Sequence, residues 1–299
     1  MKLILLSDRL WGTSAYSKVA NNLATRLKND HTIAHIPMGR ALRGGKFNQD
    51  GILLLPAGDN PSSEDVALRH YHDFNADMLI TIKEPWIFRG IHKEAINYTP
   101  MAIIDHSPVS PHITSKLHTA FKVITISRHG QKELKNKDID STYIPHGVPT
   151  KTYRPLNERQ RKICKSMFHF DEDEFVVLMV QMNRSRKLIP HQLRGYKRFL
   201  ELNPDVKSHL MLWTNMRPSR NPSDMEPGLG VADVGIDLLP EVFQLDLGEA
   251  VRWTDMGELP EGIPEWTLDF SLGGWDMVKL YNSADALLHC TGGEGAGLP

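Results

Sequence analysis

Glycines are concentrated in the last eight residues of the chain, Gly292-Gly293-Glu294-Gly295-Ala296-Gly297-Leu298-Pro299. Glycine lets a backbone approach a ligand closely, and exposed N–H groups where a strand gives way to a helix are typical of an anion site. Glu294 lies inside this loop, where its carboxylate would repel phosphate and suits the hydroxyls of a sugar or a ribose. The loop is not a Walker A phosphate loop, because no Gly-Lys-Ser/Thr follows. An ordinary glycine-rich turn is the alternative interpretation.

A basic cluster, Asn183-Arg184-Ser185-Arg186-Lys187, follows an apolar segment and precedes a helical pattern. The apolar segment Glu174–Met182 predicts a strand buried on both faces, and Pro190–Leu202 has apolar residues at helical spacing. Fixed cations beside a helix N-terminus can neutralise a phosphate without a metal ion. We therefore predict that this cluster binds phosphate and that Lys187 is solvent-reachable. The alternative is a solvated basic turn.

The first half of the chain places polar residues after predicted strands in the same way. Gly12-Thr13-Ser14 lies between a predicted strand, Lys2–Ser7, and a predicted helix from Ala15 to Lys28. It is not a dinucleotide-binding fingerprint, because G-x-G-x-x-G is absent. Lys83-Glu84 follows the predicted strand Asp77–Ile82 at the same edge of the sheet and gives a weak indication of contact with a ligand.

Two further positions follow predicted strands. Asp105-His106 comes after Met101–Ile104, and a lone histidine is more often structural than catalytic. Ser127 follows Val123–Ile126 and is predicted to cap the next helix. Gly147 is predicted to allow a close turn where the chain leaves the first sheet.

The whole chain alternates short apolar runs with helical patterns, which predicts parallel β–α–β units and doubly wound sheets. Ligands of such sheets bind at the carboxyl ends of the strands. We predict two Rossmann-like α/β domains that face each other across a cleft, residues 1–154 and 155–299, of which the second is incomplete. Arg40–Asp50 and residues 217–248 are predicted to be loops.

Composition excludes several classes of protein. Lys and Arg total 35 against 36 Asp and Glu, and the net charge of −1 argues against a nucleic acid or an anionic membrane as a partner of the whole chain. Two cysteines, Cys164 and Cys290, exclude a disulfide scaffold and a multi-thiolate zinc site, and indicate a reducing compartment such as the cytoplasm. The apolar runs are far shorter than the roughly 18 residues of a membrane span, so no integral membrane segment is predicted. His70 and His72 do not share a helix face, so no metal site is predicted there.

The glycine-rich end resembles the donor-binding signature of the GT-B fold glycosyltransferases, specifically retaining family four, whose loop reads G-E-G-x-G-L-P. Glu294 matches the glutamate of that loop. A second glutamate, eight positions later in the family, would fall at position 302, beyond the last residue. The basic cluster is similar to the place where the family carries an arginine and a lysine. Ser127 with Ile144–Val148 resembles the family's pair of a strand-Ser and an I-P-N-G-V turn, with His146 in place of the asparagine.

This resemblance implies an enzyme that transfers a sugar from a nucleotide-diphosphate sugar to a glycan, lipid or small-molecule acceptor, with retention of configuration and without a metal ion or cofactor. The donor is expected mainly on the second domain and the acceptor mainly on the first. The implied catalytic residues are Arg184, Lys187, Glu294 and His106, and the implied donor contacts are Gly12, Thr13, Ser14, Arg186, Gly147, Gly293, Gly295, Gly297 and Leu298. Whether Arg184 or Arg186 holds the diphosphate stays open. Two other functions also stay open: a non-catalytic nucleotide-sugar-binding module and a sugar-nucleotide epimerase of the same fold.

The sequence also predicts a missing element at its C-terminal end. The predicted strand Ala284–His289 leads into a loop that should continue into a crossover helix, and a parallel sheet needs helices on both faces. We therefore expect the 299-residue chain to be a C-terminally truncated fragment that exposes apolar strand surface and is poorly soluble or inactive by itself.

Overall fold

The structure, a computed structural model, describes residues 1–12, 14–39, 41–42, 44–218, 233–253, 274–295 and 297. The chain divides into two units. The first contains Met1–Gly147 and Glu294–Leu298, and the second contains Val148–Gly293 with Pro299. Within the described residues, no helix is both long enough and apolar enough to cross a membrane.

The first unit is built on an eight-stranded sheet. Its strands are β1 (Lys2–Ser7), β2 (Thr32–Pro37), β3 (Phe47–Gln49), β4 (Ile52–Leu54), β5 (Met78–Ile82), β6 (Tyr98–Ala102), β7 (Ile124–Thr125) and β8 (Thr142–Tyr143). They lie in the order β3-β4-β2-β1-β5-β6-β7-β8, and every neighbouring pair is parallel except β3 and β4. Because β1 lies between β2 and β5, the chain winds to one side of β1 and then to the other. The carboxyl ends of β1 and β5 therefore flank a topological switch point.

Helices cover both faces of this sheet. The connecting elements are α1 (Ala15–Leu27), α2 (Glu64–Asp73), 3-10 turns at Pro85–Ile87 and Ile91–Lys93, α3 (Pro111–Leu117) and α4 (Arg128–Lys135). Leu3 and Leu5 of β1 belong to the core cluster that contains Ala20 of α1. The alternate residues Ile4 and Leu6 belong to a second cluster. The period of two along a strand thus supplies an apolar residue to each face in turn.

The second unit is built on a four-stranded sheet in which all neighbouring pairs are parallel. Its strands are β9 (Phe175–Val180), β10 (Ser208–Trp213), β11 (Val251–Trp253) and β12 (Ala286–Leu287), in the order β11-β10-β9-β12. The helical elements are α5 (Glu158–Met167), a 3-10 turn at Ser185–Lys187, α6 (Ile189–Leu202), α7 (Leu239–Gln244) and α8 (Gly274–Ser283). Met179 packs in one core cluster with Leu193 of α6, and Leu178 packs in another with Leu280 of α8. Strand β9 is therefore buried on both faces, as its apolar sequence predicts.

The predicted fold class, doubly wound parallel α/β, is confirmed. Two predicted loops are wrong in part. Strand β3 lies within Arg40–Asp50; its three residues are all exposed and pair only with β4, so no apolar pattern marks it. Helix α7 lies within residues 217–248, of which residues 219–232 are outside the described part of the chain. At six residues, α7 is too short to show helical spacing clearly.

The division between the units at Gly147 lies seven residues before the predicted boundary at residue 154. Contacts of Asn282 in α8 give the physical reason. Its side chain accepts a hydrogen bond from Leu156 N at 2.8 Å and donates one to Arg154 O at 3.2 Å. The chain after Gly147 is thereby joined to the second unit before its first helix begins. That helix, α5, starts with a capping box between Asn157 and Gln160.

Candidate functional site

Adjacent strands of the second unit bring the basic cluster beside the glycine-rich loop. Strands β9 and β12 are parallel neighbours, so the segments that follow them emerge side by side at one edge of the sheet. Gly292 N donates to Arg186 O at 2.7 Å, and Arg186 Nη1 donates to Gly293 O at 3.1 Å. Two sequence-predicted donor contacts, Arg186 and Gly293, therefore touch each other directly.

Gln192 of α6 fixes these two loops, and the sequence analysis missed it. Its Nε2 donates to Lys187 O at 2.7 Å and to Cys290 O at 2.9 Å, and its Oε1 accepts from Cys290 N at 3.2 Å. The residue is 3% exposed, so these bonds satisfy a buried amide. A polar residue on the apolar face of a helix, between Ile189 and Leu193, is the sequence signal that marks it.

Arg184 and Arg186 both contact Asp233, one at its backbone carbonyl and the other at its carboxylate. Arg184 Nη1 donates to Asp233 O at 2.6 Å, and Arg186 Nε pairs with Asp233 Oδ2 at 3.0 Å. Asp233 follows a long connection in the sequence, so no local pattern predicts its place here.

Lys187 is buried, contrary to the expectation that it is solvent-reachable. It is 7% exposed, and burial followed by the charge of Arg186 lowers its pKa to about 8, while Asp233 acts in the opposite direction. Burial and the charge of Lys187 also lower the pKa of His289, which follows β12. A partly desolvated ammonium group beside a guanidinium group gains more from a bound anion than a solvated one does.

Asn183 holds the start of the basic cluster against the segment around Ile236. Its Nδ2 donates to Asn215 O at 2.9 Å and to Ile236 O at 2.6 Å, and its Oδ1 accepts from Ile236 N at 3.2 Å. Gly235 has a φ of +80°, and a Cβ there would lie 2.4 Å from Asn183 O. Glycine at 235 is required both by its backbone conformation and by this close approach.

In the first unit, Gly12 and Ser14 shape the turn between β1 and α1. Gly12 N donates to Arg9 O at 3.0 Å, and a Cβ on Gly12 would lie 2.4 Å from Ser17 Oγ. Ser14 caps α1 by accepting from Ser17 N at 3.0 Å, and it donates to Asp8 Oδ2 at 2.6 Å. Thr13, also a predicted contact, lies outside the described residues.

A polar network joins the ends of β1 and β5 at the switch point. Lys83 Nζ lies 3.2 Å from Asp8 Oδ1 and 4.1 Å from the centroid of the Tyr16 ring. Tyr16 Oη in turn donates to the carboxylate of Glu84. The sequence analysis placed Lys83-Glu84 on this edge, and the structure adds Asp8 and Tyr16.

His106 is held within its own loop. Its Nδ1 lies 2.9 Å from Asp105 Oδ1, and its Nε2 accepts from Ser110 N at 3.3 Å. This arrangement assigns the ring proton to Nδ1. Ser127 accepts from Gly130 N at 3.0 Å, so its predicted role as the cap of α4 is confirmed.

The remaining predicted residues are placed as follows. A Cβ on Gly147 would meet open space, so packing does not require glycine there. Glu294 and Gly295 belong to the first unit, whereas Gly293 belongs to the second. Gly297 is exposed, and Leu298 lies outside the described residues. Lys187 belongs to the second unit, and Gly12–Ser14 and Glu294 belong to the first; that all of them contact one donor stays a prediction.

Known proteins match this chain in structure and not in sequence. No family model and no curated protein sequence matches this chain. Solved structures match over nearly its whole length. A UDP-forming α,α-trehalose-phosphate synthase from Burkholderia xenovorans, in complex with glucose-6-phosphate, covers 100% of this chain and 81% of its own, with a TM-score of 0.65 and 11% identity. The catalytic domain of starch synthase IV from Arabidopsis thaliana, bound to ADP and acarbose, covers 99% and 79%, with a TM-score of 0.61 and 10% identity.

A trehalose-6-phosphate synthase studied for enzymatic glycosyl transfer with retention covers 99% of this chain and 79% of its own, with a TM-score of 0.64 and 11% identity. The chain has the GT-B fold of these glycosyltransferases. At such low identity the likeness establishes the fold, and the chemistry has to be argued from the residues. Within the described residues, His, Cys, Asp and Glu side chains do not gather in threes as a metal site would need.

Proposed function

We propose that this GT-B chain is a glycosyltransferase that moves a sugar from a nucleotide-diphosphate sugar to an acceptor, with retention of configuration. One observation carries the proposal: the basic cluster and the loop Cys290–Gly293 are hydrogen-bonded to each other at the carboxyl edge of a parallel sheet. In open α/β sheets this edge is where ligands bind.

The charges of the basic cluster suit a diphosphate. Arg184, Arg186 and Lys187 bring three basic side chains together, and Arg186 pairs with the carboxylate of Asp233. A diphosphate carries the negative charge that a cluster of basic side chains favours. Charge builds up on the leaving diphosphate during transfer, and fixed cations stabilise that charge in the transition state. This arrangement supports the arginines and Lys187 as the residues that grip the donor.

The other residues take roles on the sugar and acceptor sides of the reaction. Glu294 accepts hydrogen bonds from sugar hydroxyls, and Gly12–Ser14 lies beneath the donor phosphate and sugar. His106, with its ring fixed by Asp105 and Ser110, lies near the transferred sugar. The first unit binds the acceptor. Structures of the same fold that are named UDP-forming or were solved with ADP support a nucleoside-diphosphate leaving group, and one studied for transfer with retention supports the stereochemistry.

Ligand-dependent thermal unfolding tests donor binding. We expect one class among UDP-, ADP- and GDP-sugars to raise the melting temperature, because a ligand that binds only the folded chain stabilises it. Arg184→Gln and Arg186→Gln, measured separately, identify which arginine grips the diphosphate. The one that does should weaken binding about tenfold or more. Lys151→Gln, at an exposed lysine of the same unit, is the matched control. Binding that is equal in all four chains would contradict the assigned site.

A second assay distinguishes the alternatives. The protected nucleotide sugar is incubated with a mixture of glycan, lipid and sugar-phosphate acceptors, and both the released nucleoside diphosphate and the sugar products are measured. Transfer to an acceptor with the anomeric configuration kept supports the proposal. Interconversion of the free nucleotide sugar indicates an epimerase. Binding without turnover indicates a non-catalytic module.

A further inference from the structure

A basic groove lies on the first unit between α3 and the 3-10 turn Ile91–Lys93. Its volume is about 500 Å³. One wall is formed by Arg89, His92 and Lys93. The other wall is formed by α3 and the residues just after it, through His112, Ser115, Lys116 and Thr119. These seven residues include three basic side chains, two imidazoles and two hydroxyls, and they include no carboxylate.

Hydrogen bonds hold the two walls together. Lys116, which is 6% exposed, donates from Nζ to Trp86 O at 3.0 Å and to Phe88 O at 2.5 Å. Thr119 Oγ1 donates to His92 O at 2.6 Å. The groove is therefore a fixed feature of the fold rather than a chance gathering of surface side chains.

The carboxylate of Glu64, beside the groove, is engaged by backbone N–H groups. Glu64, at the start of α2, accepts hydrogen bonds from the backbone N–H groups of Arg89, Gly90 and Ile91, the first at 2.8 Å. Burial lowers the pKa of Lys116, and the charges of Arg89 and Lys93 lower it further although Glu64 opposes them. The pKa of Lys116 therefore lies below its ordinary value despite the neighbouring carboxylate.

We propose that this basic groove binds the phosphate group of a phosphomonoester. A phosphate dianion presents several strong acceptor oxygens, and the side chains of Arg89 and Lys93 are charged donors of the kind it needs. The site does not depend on the proposed glycosyl transfer. One wall belongs to the segment between β5 and β6, the other to the segment between β6 and β7, and neither Asp8 nor Lys83 lines the groove.

Histidine NMR provides a local readout of this site. The ring signals of His92 and His112 are assigned from His92→Gln and His112→Gln chains and are followed during titration with glycerol 3-phosphate at constant ionic strength. We expect saturable shifts of both signals. Arg89→Gln/Lys93→Gln should weaken binding about tenfold or more, since it removes two charged donors. Both side chains are exposed, so the variant should fold normally. Lys137→Gln, at an exposed lysine of the same unit, should bind like the wild-type chain.

A second arm distinguishes a soluble phosphomonoester from a lipid headgroup. Phosphatidylcholine vesicles with and without phosphatidic acid are tested for co-sedimentation with the wild-type and double-variant chains. Loss of binding in the double variant, with either probe, supports the groove and identifies the source of the phosphate. The proposal is overturned if neither probe binds, if sodium chloride alone produces the same shifts, or if the double variant binds as tightly as the wild-type chain.

Discussion

Replacing Lys187 with methionine should make the folded chain more stable and its binding of a diphosphate weaker. The residue is 7% exposed, and burial with the Arg186 charge lowers its pKa from 10.5 to about 8. Each pKa unit corresponds to about 1.4 kcal/mol, so the protonated side chain destabilises the folded chain by up to about 3 kcal/mol. Water that still reaches the ammonium group reduces this penalty. We expect Lys187→Met to raise the free energy of unfolding by about 1–2 kcal/mol at neutral pH, and to weaken UDP binding about 10- to 150-fold.

The pH dependence of that stability difference identifies its cause. Below pH 8 the ammonium group is charged in both the folded and the unfolded chain, so the full penalty applies. Between pH 8 and 10.5 the folded chain loses its proton first, and the wild-type chain gains stability relative to the variant. Urea unfolding near neutral pH and near pH 10 measures the difference, with Lys151→Met as the control. A variant that is less stable than the wild-type chain at neutral pH, by an amount independent of pH, would refute this reasoning.

Three further measurements test the geometry around the basic cluster. UDP should bind about tenfold more tightly as the pH falls through about 8, because charged Lys187 attracts the diphosphate; calorimetry measures this, and Lys187→Met should abolish it. Gln192→Leu removes the hydrogen bonds to Lys187 O and Cys290 O. It should lower the free energy of unfolding by about 1–3 kcal/mol and weaken UDP binding. An unchanged melting temperature would contradict the structural role assigned to Gln192. Gly235→Ala places a Cβ 2.4 Å from Asn183 O at a φ of +80°. It should destabilise the chain by about 2 kcal/mol or more in urea unfolding, and an unchanged midpoint would contradict the assigned turn.

The sequence predicts those parts of the fold that follow from local patterns. Strand β1 occupies the predicted residues Lys2–Ser7, and Ser127 caps α4 as its position after a strand suggests. Strand β6 begins at Tyr98 rather than at Met101, because Pro100 breaks the usual strand pattern in the sequence. The site residues Arg186 and Gly293 are predicted for the same reason as the strands, since each follows an apolar run.

The residues that hold the site in place are distant from it in the sequence, and local sequence patterns mark them only weakly. Asp233 lies about 47 positions from Arg186, and no local pattern connects the two. Gln192 is recognisable only as a polar residue on an apolar helix face. The burial of Lys187 depends on neighbours from several segments, and a lysine in a basic run ordinarily indicates a solvated turn. Tertiary packing, which the sequence does not display, decides all three.

Strand order explains why two motifs more than 100 residues apart touch. Any parallel strand delivers its following loop to the same edge of the sheet, but only neighbouring strands place those loops within hydrogen-bond distance. The order β11-β10-β9-β12 makes the strands before Arg186 and before Gly293 neighbours, and the 3.1 Å bond between these residues is the direct result. If β12 instead paired with the outer edge of β11, the two motifs would lie at the same edge of the sheet with two strands between them. Lys187 would then be more open to water, its pKa would lie nearer 10.5, and the site would lose the desolvation that favours an incoming diphosphate.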